Sequence, residues 1–391
     1  MRIPTVPREV ADDVVAIRRD IHMHPELGFE EQRTAALVAK RLAGLGFEVH
    51  EGIAGTGVVG LMRGTRPGKT IMLRADMDAL PILEETQRPY SSRIDGAMHA
   101  CGHDGHVAIL LGVAALVANA RSEMAGTLCL VFQPAEEGRG GAKAMVEQGL
   151  IERFGIERAY GLHLSSRHPA GTLAFRSGPM YASSDSIEIE VRGVGGHGAA
   201  PHETVDPIVV SAGFITALQT IVSRSIDPLE PAVVTIGAIS AGTTHNVIPR
   251  KCTMLGTVRA FSPSVRELMP ERIENILRSY CDAAGATYGF EYLWRYPVTS
   301  NDAAQTAYAR ALAAKVAGDE RVIEAEQLMG AEDFSFYARR VPACFYMLGT
   351  CSSPATSHPH HSSLFDIDET ALPAGVAMMT ALALDAARNA P

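Results

Sequence analysis

The feature that most constrains this chain is the alternation of strand-like and helix-like segments in its first half. Apolar, strand-like runs at Gly57–Met62, Thr70–Ala75, Gly126–Phe132 and Arg158–His163 are separated by helical patterns at His106–Ala120 and Gly141–Gln148. Strands alternating with helices of about three or four turns form βαβ units on a mostly parallel sheet. Two helices precede this pattern. In the first, Val10, Val14, Ile17 and Ile21 recur at helical spacing until the chain stops near Pro25; the second runs from about Glu31 to Leu45.

Around Ser184 the pattern changes. Ser186-Ile-Glu-Ile-Glu-Val-Arg192 alternates strictly, as in a sheet with one wet face. Helix Asp206–Ser223, strands Ala232–Ile239 and Cys252–Arg259, helix Ser264–Ala284 and strand Thr287–Trp294 are then predicted. After Pro297 the pattern of the first half resumes, with helix Ala303–Val316, strand Ala343–Leu348 and an alanine-rich helix from Glu369. At 391 residues the chain exceeds one typical core. The fold class is therefore α/β: a mostly parallel-sheet domain in two parts, 1–183 and 297–391, with an α+β domain inserted at 184–296.

Charge and cysteine usage narrow the function classes. A formal net charge of −9 argues against a nucleic-acid surface, so an anionic substrate has to be met by a few placed cations. The opening MRIPTVPREV lacks an apolar signal core, and the longest apolar run, Val107 to Ala120, is too short to span a bilayer. The expectation is a cytoplasmic protein without a membrane partner. The six cysteines, at 101, 129, 252, 281, 344 and 351, have no framework spacing and read as reduced thiols. Cys101 alone asks for more.

Cys101 lies in Met98-His-Ala-Cys-Gly-His-Asp-Gly-His106, which places three histidines, a cysteine and an aspartate in nine residues. Cys101 and His103 precede a helix, Glu136 and Glu137 follow the strand ending at Phe132, and His163 ends the strand Arg158–His163. In open α/β sheets, ligands converge at the carboxyl ends of strands, so separate segments deliver donors to one edge. A further cluster, Ser357-His-Pro-His-His361, stands near the end of the chain. Glu-Glu pairs are commonly solvated helix starts and lone histidines are commonly core residues; co-location favours a divalent metal site. A closed structural zinc site has no use for a free carboxylate beside it, whereas in a hydrolase one carboxylate binds metal and its neighbour takes a proton from water.

The order of Arg74-Ala-Asp-Met-Asp-Ala-Leu-Pro81, the Met98–His106 loop, Gln133-Pro-Ala-Glu-Glu-Gly138, Gly161-Leu-His163, Gly195-Gly-His-Gly198, His245-Asn-Val-Ile-Pro249, Gly330-Ala-Glu-Asp-Phe334 and His361-Ser-Ser-Leu-Phe365 resembles the aminoacylase and hippurate hydrolase branch of a binuclear metallopeptidase family. That branch includes auxin-conjugate amidohydrolases, and the wider family includes carboxypeptidases and dipeptidases. The resemblance implies two divalent ions per subunit, zinc or manganese, with Cys101, His103, Glu137, His163 and His361 as ligands and the thiolate bridging. Glu136 matches the general base and Asp78 the aspartate that orients the site. His99, His106 and Asp104 are expected to support the loop by hydrogen bonds. The inserted domain resembles a lid and dimerisation domain, in which His197 matches an oxyanion donor and Asn246 and Arg259 match positions that hold a substrate carboxylate.

Two departures stand out. Asp76 replaces the family's usual histidine ligand and is not counted as one, and His361-Ser362-Ser363 replaces a turn that commonly carries proline. The expected activity is hydrolysis of a small N-acyl or N-aroyl amino acid, by a homodimer or homotetramer formed through the lid. A dipeptidase or carboxypeptidase is the alternative within the class, and a non-catalytic metal-binding protein the alternative outside it.

Overall fold

The computed structural model describes residues 5–391. Two compact units emerge: one from the chain up to Met180 with Ser300–Glu326 and Asp333–Pro391, the other from Tyr181–Thr299 with Gln327–Glu332.

The first unit is built on an eight-stranded sheet. Its spatial order is Glu48–Ile53, Gly57–Arg63, Ala125–Gln133, Arg66–Asp76, Arg158–Pro169, Ala343–Cys351, Leu173–Phe175 and Val322–Glu324. Arg66–Asp76 runs parallel to both of its neighbours, and Arg158–Pro169 runs parallel to Ala343–Cys351. The hairpin Glu48–Ile53/Gly57–Arg63 adds an antiparallel edge that the sequence pattern did not announce in full, since Glu48–Ile53 is polar along most of its length.

Central strands read as continuous apolar runs because both of their faces are covered. Helix His103–Asn119 packs against helices Arg8–His22 and Leu372–Asn389, and the last of these also lies on the sheet. Helix His103–Asn119 is apolar almost all round and buried from His103 to Ala114. By length and hydropathy, Glu369–Asn389 and Pro207–Ser225 could each cross a membrane. In the fold, Leu372–Asn389 buries Val376, Met379 and Leu382 in the main core, and Pro207–Thr220 buries Val210, Phe214 and Leu218 in the core of the second unit.

The second unit is an antiparallel four-stranded sheet in the order Ala232–Ala241, Lys251–Ala260, Ser184–Arg192 and Thr287–Tyr296. Helices Pro207–Thr220 and Pro263–Ala284 cover one face. The alternation of Ser184–Arg192 follows from this: Ile187, Ile189 and Val191 are buried, while Glu188 and Arg192 are exposed.

Two local expectations change. The helix expected from His106 begins at His103, because Gly102 adopts φ +87° and turns the chain directly into it; His103 therefore sits in the first helical turn. The strand expected to end at His163 continues to Pro169, paired along this stretch with Ala343–Cys351. His163 still lies beyond the last ladder pair with Arg66–Asp76, Arg74 opposite Gly161, and so at the carboxyl end of that parallel neighbour.

Candidate metal centre

At this edge the first unit gathers Cys101, His103, Glu136, Glu137, His163 and His361. Donor atoms of Cys101, His103 and His163 lie within 4.8 Å of one another; so do those of Cys101, Glu137 and His361, and those of His103, Glu136 and Glu137. Cys101 is common to the first two groups, and its Sγ lies 3.5 Å from His163 Nε2.

The histidines are oriented by their far nitrogens. His103 Nδ1–H donates to the Asp78 carbonyl at 2.9 Å, and His163 Nδ1–H donates to the Leu164 carbonyl at 2.7 Å. A carbonyl can only accept, so both Nδ1 atoms carry a proton and Nε2 is the nitrogen each ring turns toward the site, that of His163 beside Cys101 Sγ and that of His103 3.5 Å from Asp76 Oδ2. Among the described residues the buried His103 Nε2 has no hydrogen-bond partner, which leaves its lone-pair direction open to a ligand role. His361 adopts φ +65°, and its backbone N–H donates to Ala100 O at 2.8 Å, tying the late turn to the Cys101 loop. Its Nε2 approaches Glu137 Oε1 at 3.1 Å. The serines that follow do not prevent this turn from forming.

The adjacent glutamates are fixed through their backbone. Asp78 Oδ1 accepts from Glu136 N–H at 3.0 Å and Asp78 Oδ2 from Glu137 N–H at 2.9 Å. Glu136 is buried, and its Oε1 accepts from Asp333 N–H at 3.3 Å. The Gly330-Ala-Glu-Asp-Phe segment stood out in the sequence without a role for Asp333. That carboxylate accepts from Arg74 at 2.9 Å, from the Gln133 amide at 2.8 and 2.9 Å, and from Ala142 N–H at 2.9 Å. Only its spacing from other motifs was visible in sequence; a buried Asp holding a buried Arg was not.

Asp76, whose Oδ2 stands 3.5 Å from His103 Nε2, is engaged chiefly by Arg74 and His106. It accepts from Arg74 at 2.8 Å and from His106 Nδ1–H at 2.5 Å, while His106 Nε2 accepts from Leu164 N–H at 2.9 Å. Both nitrogens of His106 are thus occupied, which makes it a strut. Asp104 is another, accepting from Arg18 at 2.8 Å and His22 at 2.7 Å. His99 corrects the expectation: among the described residues neither of its nitrogens has a hydrogen-bond partner, and burial holds its pKa down to about 4, so it packs as a neutral ring.

The protonation energetics point the same way. Burial, then Glu137, Glu136 and Asp76, push the Cys101 thiol well above its usual pKa. Burial works to lower His103, but the nearby carboxylates of Asp76, Asp78 and Glu137 outweigh it and hold the imidazole at about 10. Burial, then His106 and His360, keep His163 well below its usual value and hence neutral. Four carboxylates, Asp76, Asp78, Glu136 and Glu137, around a thiol and an imidazole favour positive charge at this spot. Divalent cations would meet that demand and turn the thiol into a thiolate, so the donor set fits a metal site.

His197, Asn246 and Arg259 belong to the second unit. There Gly196–His197 pairs with Val247–Ile248, His197 standing opposite Val247, and Gly198 N–H donates to the Asn246 carbonyl at 2.8 Å. His197 Nδ1 accepts from Ala199 N–H at 3.0 Å, which leaves Nε2 on an exposed ring. Arg259 lies on Lys251–Ala260 opposite Val233.

An α/β unit with thiol, imidazole and paired carboxylates at its carboxyl-end edge, joined in sequence to an inserted α+β unit, defines a metal-dependent hydrolase. The chain belongs to Peptidase family M20/M25/M40, whose family model matches residues 72–385. It is 42% identical over 382 residues to thermostable carboxypeptidase 1 of Saccharolobus solfataricus, covering 96% of each chain. It is 44% identical over 331 residues to the hippurate hydrolase of Campylobacter jejuni, covering 84% of this chain and 86% of that one. Among solved structures, a Bacillus subtilis protein described as a dinuclear metal-binding peptidase of the M20 family superposes with a TM-score of 0.85 at 34% identity, over 97% of this chain and 99% of the other.

Proposed function

We propose that the protein hydrolyses N-acyl or N-aroyl amino acids, including hippurate-like, N-acetyl and indoleacetyl substrates, to a carboxylate and a free amino acid. The observation that carries this reading is the fixed division between adjacent carboxylates. Asp78 anchors both backbone N–H groups, Glu137 turns toward His361 and Cys101, and Glu136 stands beside them, held by Asp333. One carboxylate is placed to ligate and the other to move a proton.

In this reading Cys101, His103, Glu137, His163 and His361 would hold two divalent ions, zinc or manganese. When bound, such ions supply Lewis acidity toward the amide carbonyl and make water acidic enough to be deprotonated near neutral pH. Glu136 takes the proton of the attacking water and delivers it to the leaving amine. Asp78 keeps the two glutamates in register. His197 donates to the developing oxyanion, and Asn246 and Arg259 receive the substrate carboxylate, which answers the need for placed cations in a chain of net charge −9. The reading extends to a cytoplasmic homodimer or homotetramer assembled through the second unit. Free cysteines at all six positions suit a reducing compartment.

Carboxypeptidase activity is the second reading, favoured by the 42% identity to a carboxypeptidase across 96% of the chain. The two are separated by metal analysis of the purified protein alongside turnover of N-benzoyl-glycine, N-acetyl and N-indoleacetyl amino acids, N-blocked dipeptides and unblocked dipeptides. Preference for the acylated single amino acids supports the proposal. Faster cleavage of the peptides replaces it with the second reading.

A further inference from the structure

The turn that carries the two glutamates is held on one side by Asp78 and on the other by a residue from the start of the chain. Glu31 is fully buried just ahead of helix Gln32–Gly44. Its Oε1 accepts from Ala135 N–H at 2.8 Å, and its Oε2 accepts from the Thr56 hydroxyl at 2.5 Å. Ala135 directly precedes Glu136, is itself fully buried, and has φ +52°, a left-handed conformation that costs free energy in any residue with a Cβ. Surrounding structure must enforce such a conformation. Here Glu31 takes the Ala135 N–H, and the Ala135 carbonyl accepts from Gly141 N–H at 2.9 Å. Gly28, three residues before Glu31, closes the remaining space, since a Cβ there would stand 3.0 Å from Ala135 Cβ.

We propose that Glu31 is a positioning residue for the reaction: through Ala135 it sets the backbone from which Glu136 and Glu137 project. Buried carboxylates thus accept three consecutive N–H groups, Ala135 to Glu31 and Glu136 and Glu137 to Asp78. Loss of the Ala135 bond lets that residue relax toward negative φ, which rotates the following peptide and displaces both glutamates together. The proposal rests on the reading of Glu136 as base and Glu137 as ligand.

The test compares Glu31→Met, Glu31→Gln and Thr56→Val in the full-length protein. Methionine fills the volume but cannot accept the Ala135 N–H; glutamine still can, and Thr56→Val removes only the other contact of the same carboxylate. Two readouts are taken: kcat and KM on N-benzoyl-glycine, and the visible absorption of the Co(II)-loaded protein. The spectrum reports the geometry around Glu137 whether or not that substrate is turned over.

Glu31→Met is expected to lower kcat about 10- to 100-fold with little change in KM, the scale of a small misplacement of a reacting group. It is also expected to alter the Co(II) spectrum. Glu31→Gln and Thr56→Val keep both near wild type, even where Thr56→Val lowers the melting temperature. A Glu31→Met protein that matches Thr56→Val in kcat and spectrum overturns the proposal. If Glu31→Met does not fold, Glu31→Asp, which cannot span both contacts, takes its place with the same expectations. Wild-type protein inactive on every acylated amino acid sinks the functional reading alone, and the spectral comparison still decides the role of Glu31.

Discussion

Replacing Asp78 by alanine separates the scaffold of the site from its chemistry. The carboxylate is buried and accepts two backbone N–H groups, from Glu136 at 3.0 Å and Glu137 at 2.9 Å. Alanine leaves both donors without that acceptor. At about 1–3 kcal/mol for each buried group left unpaired, the loss of stability is about 2–6 kcal/mol. Asparagine retains one acceptor oxygen and turns its NH2 toward the other donor, so Asp78→Asn loses roughly half as much. Urea unfolding of metal-loaded protein gives the difference from the shift in midpoint. Asp13, whose pair with Arg41 is solvent-exposed, supplies the reference: Asp13→Ala changes stability by less than about 1 kcal/mol. An Asp78→Ala protein that loses less than about 1 kcal/mol and keeps full metal content and kcat would refute the assignment of Asp78 as the anchor of the glutamate pair.

Glu136→Gln is expected to keep fold and metal while lowering kcat by ~10²–10⁴-fold, the usual contribution of a general base; loss of metal in elemental analysis would instead exchange the roles of Glu136 and Glu137. Cys101→Ser is expected to reduce metal occupancy and Cys129→Ser to leave it unchanged, because Cys129 is a packed thiol in strand Ala125–Gln133, and equal occupancy in the two variants rejects the thiolate ligand. Acid stability tests the His22–Glu84 contact. Burial alone would raise the Glu84 pKa, but His22, Thr86 and the Ser92 N–H outweigh it and bring it from 4.5 to about 2. A depressed carboxylate stabilises the fold above its unfolded pKa and loses that contribution as pH falls through its folded one. The melting-temperature gap between wild type and Glu84→Gln is therefore expected to be full above about pH 4.5 and to close toward pH 2; a gap independent of pH contradicts it.

Periodicity and residue chemistry made much of this protein legible in its sequence. Central strands buried on both faces have to be apolar throughout, and a helix wedged between helices and a sheet has to be apolar all round, so the α/β class and the helix expected from His106, though not its start at His103, follow from local pattern. The donors Cys101, His103, Glu136, Glu137, His163 and His361 were visible because such groups cluster in short motifs at strand ends. How each one is oriented was decided only by contacts between residues far apart in the chain. That His106 is a strut and His103 turns its Nε2 toward the site depends on Leu164 N–H meeting one ring and the Asp78 carbonyl the other. His99, in the same motif, finds no hydrogen-bond partner among the described residues. Glu31 marked only the approximate start of the second helix, and Thr56 and Ala135 had no signal; folding alone brings one buried carboxylate to both. The reason is physical: a side chain's type and spacing are local properties, whereas the direction of its lone pairs and protons is fixed by whichever backbone group tertiary packing sets beside it.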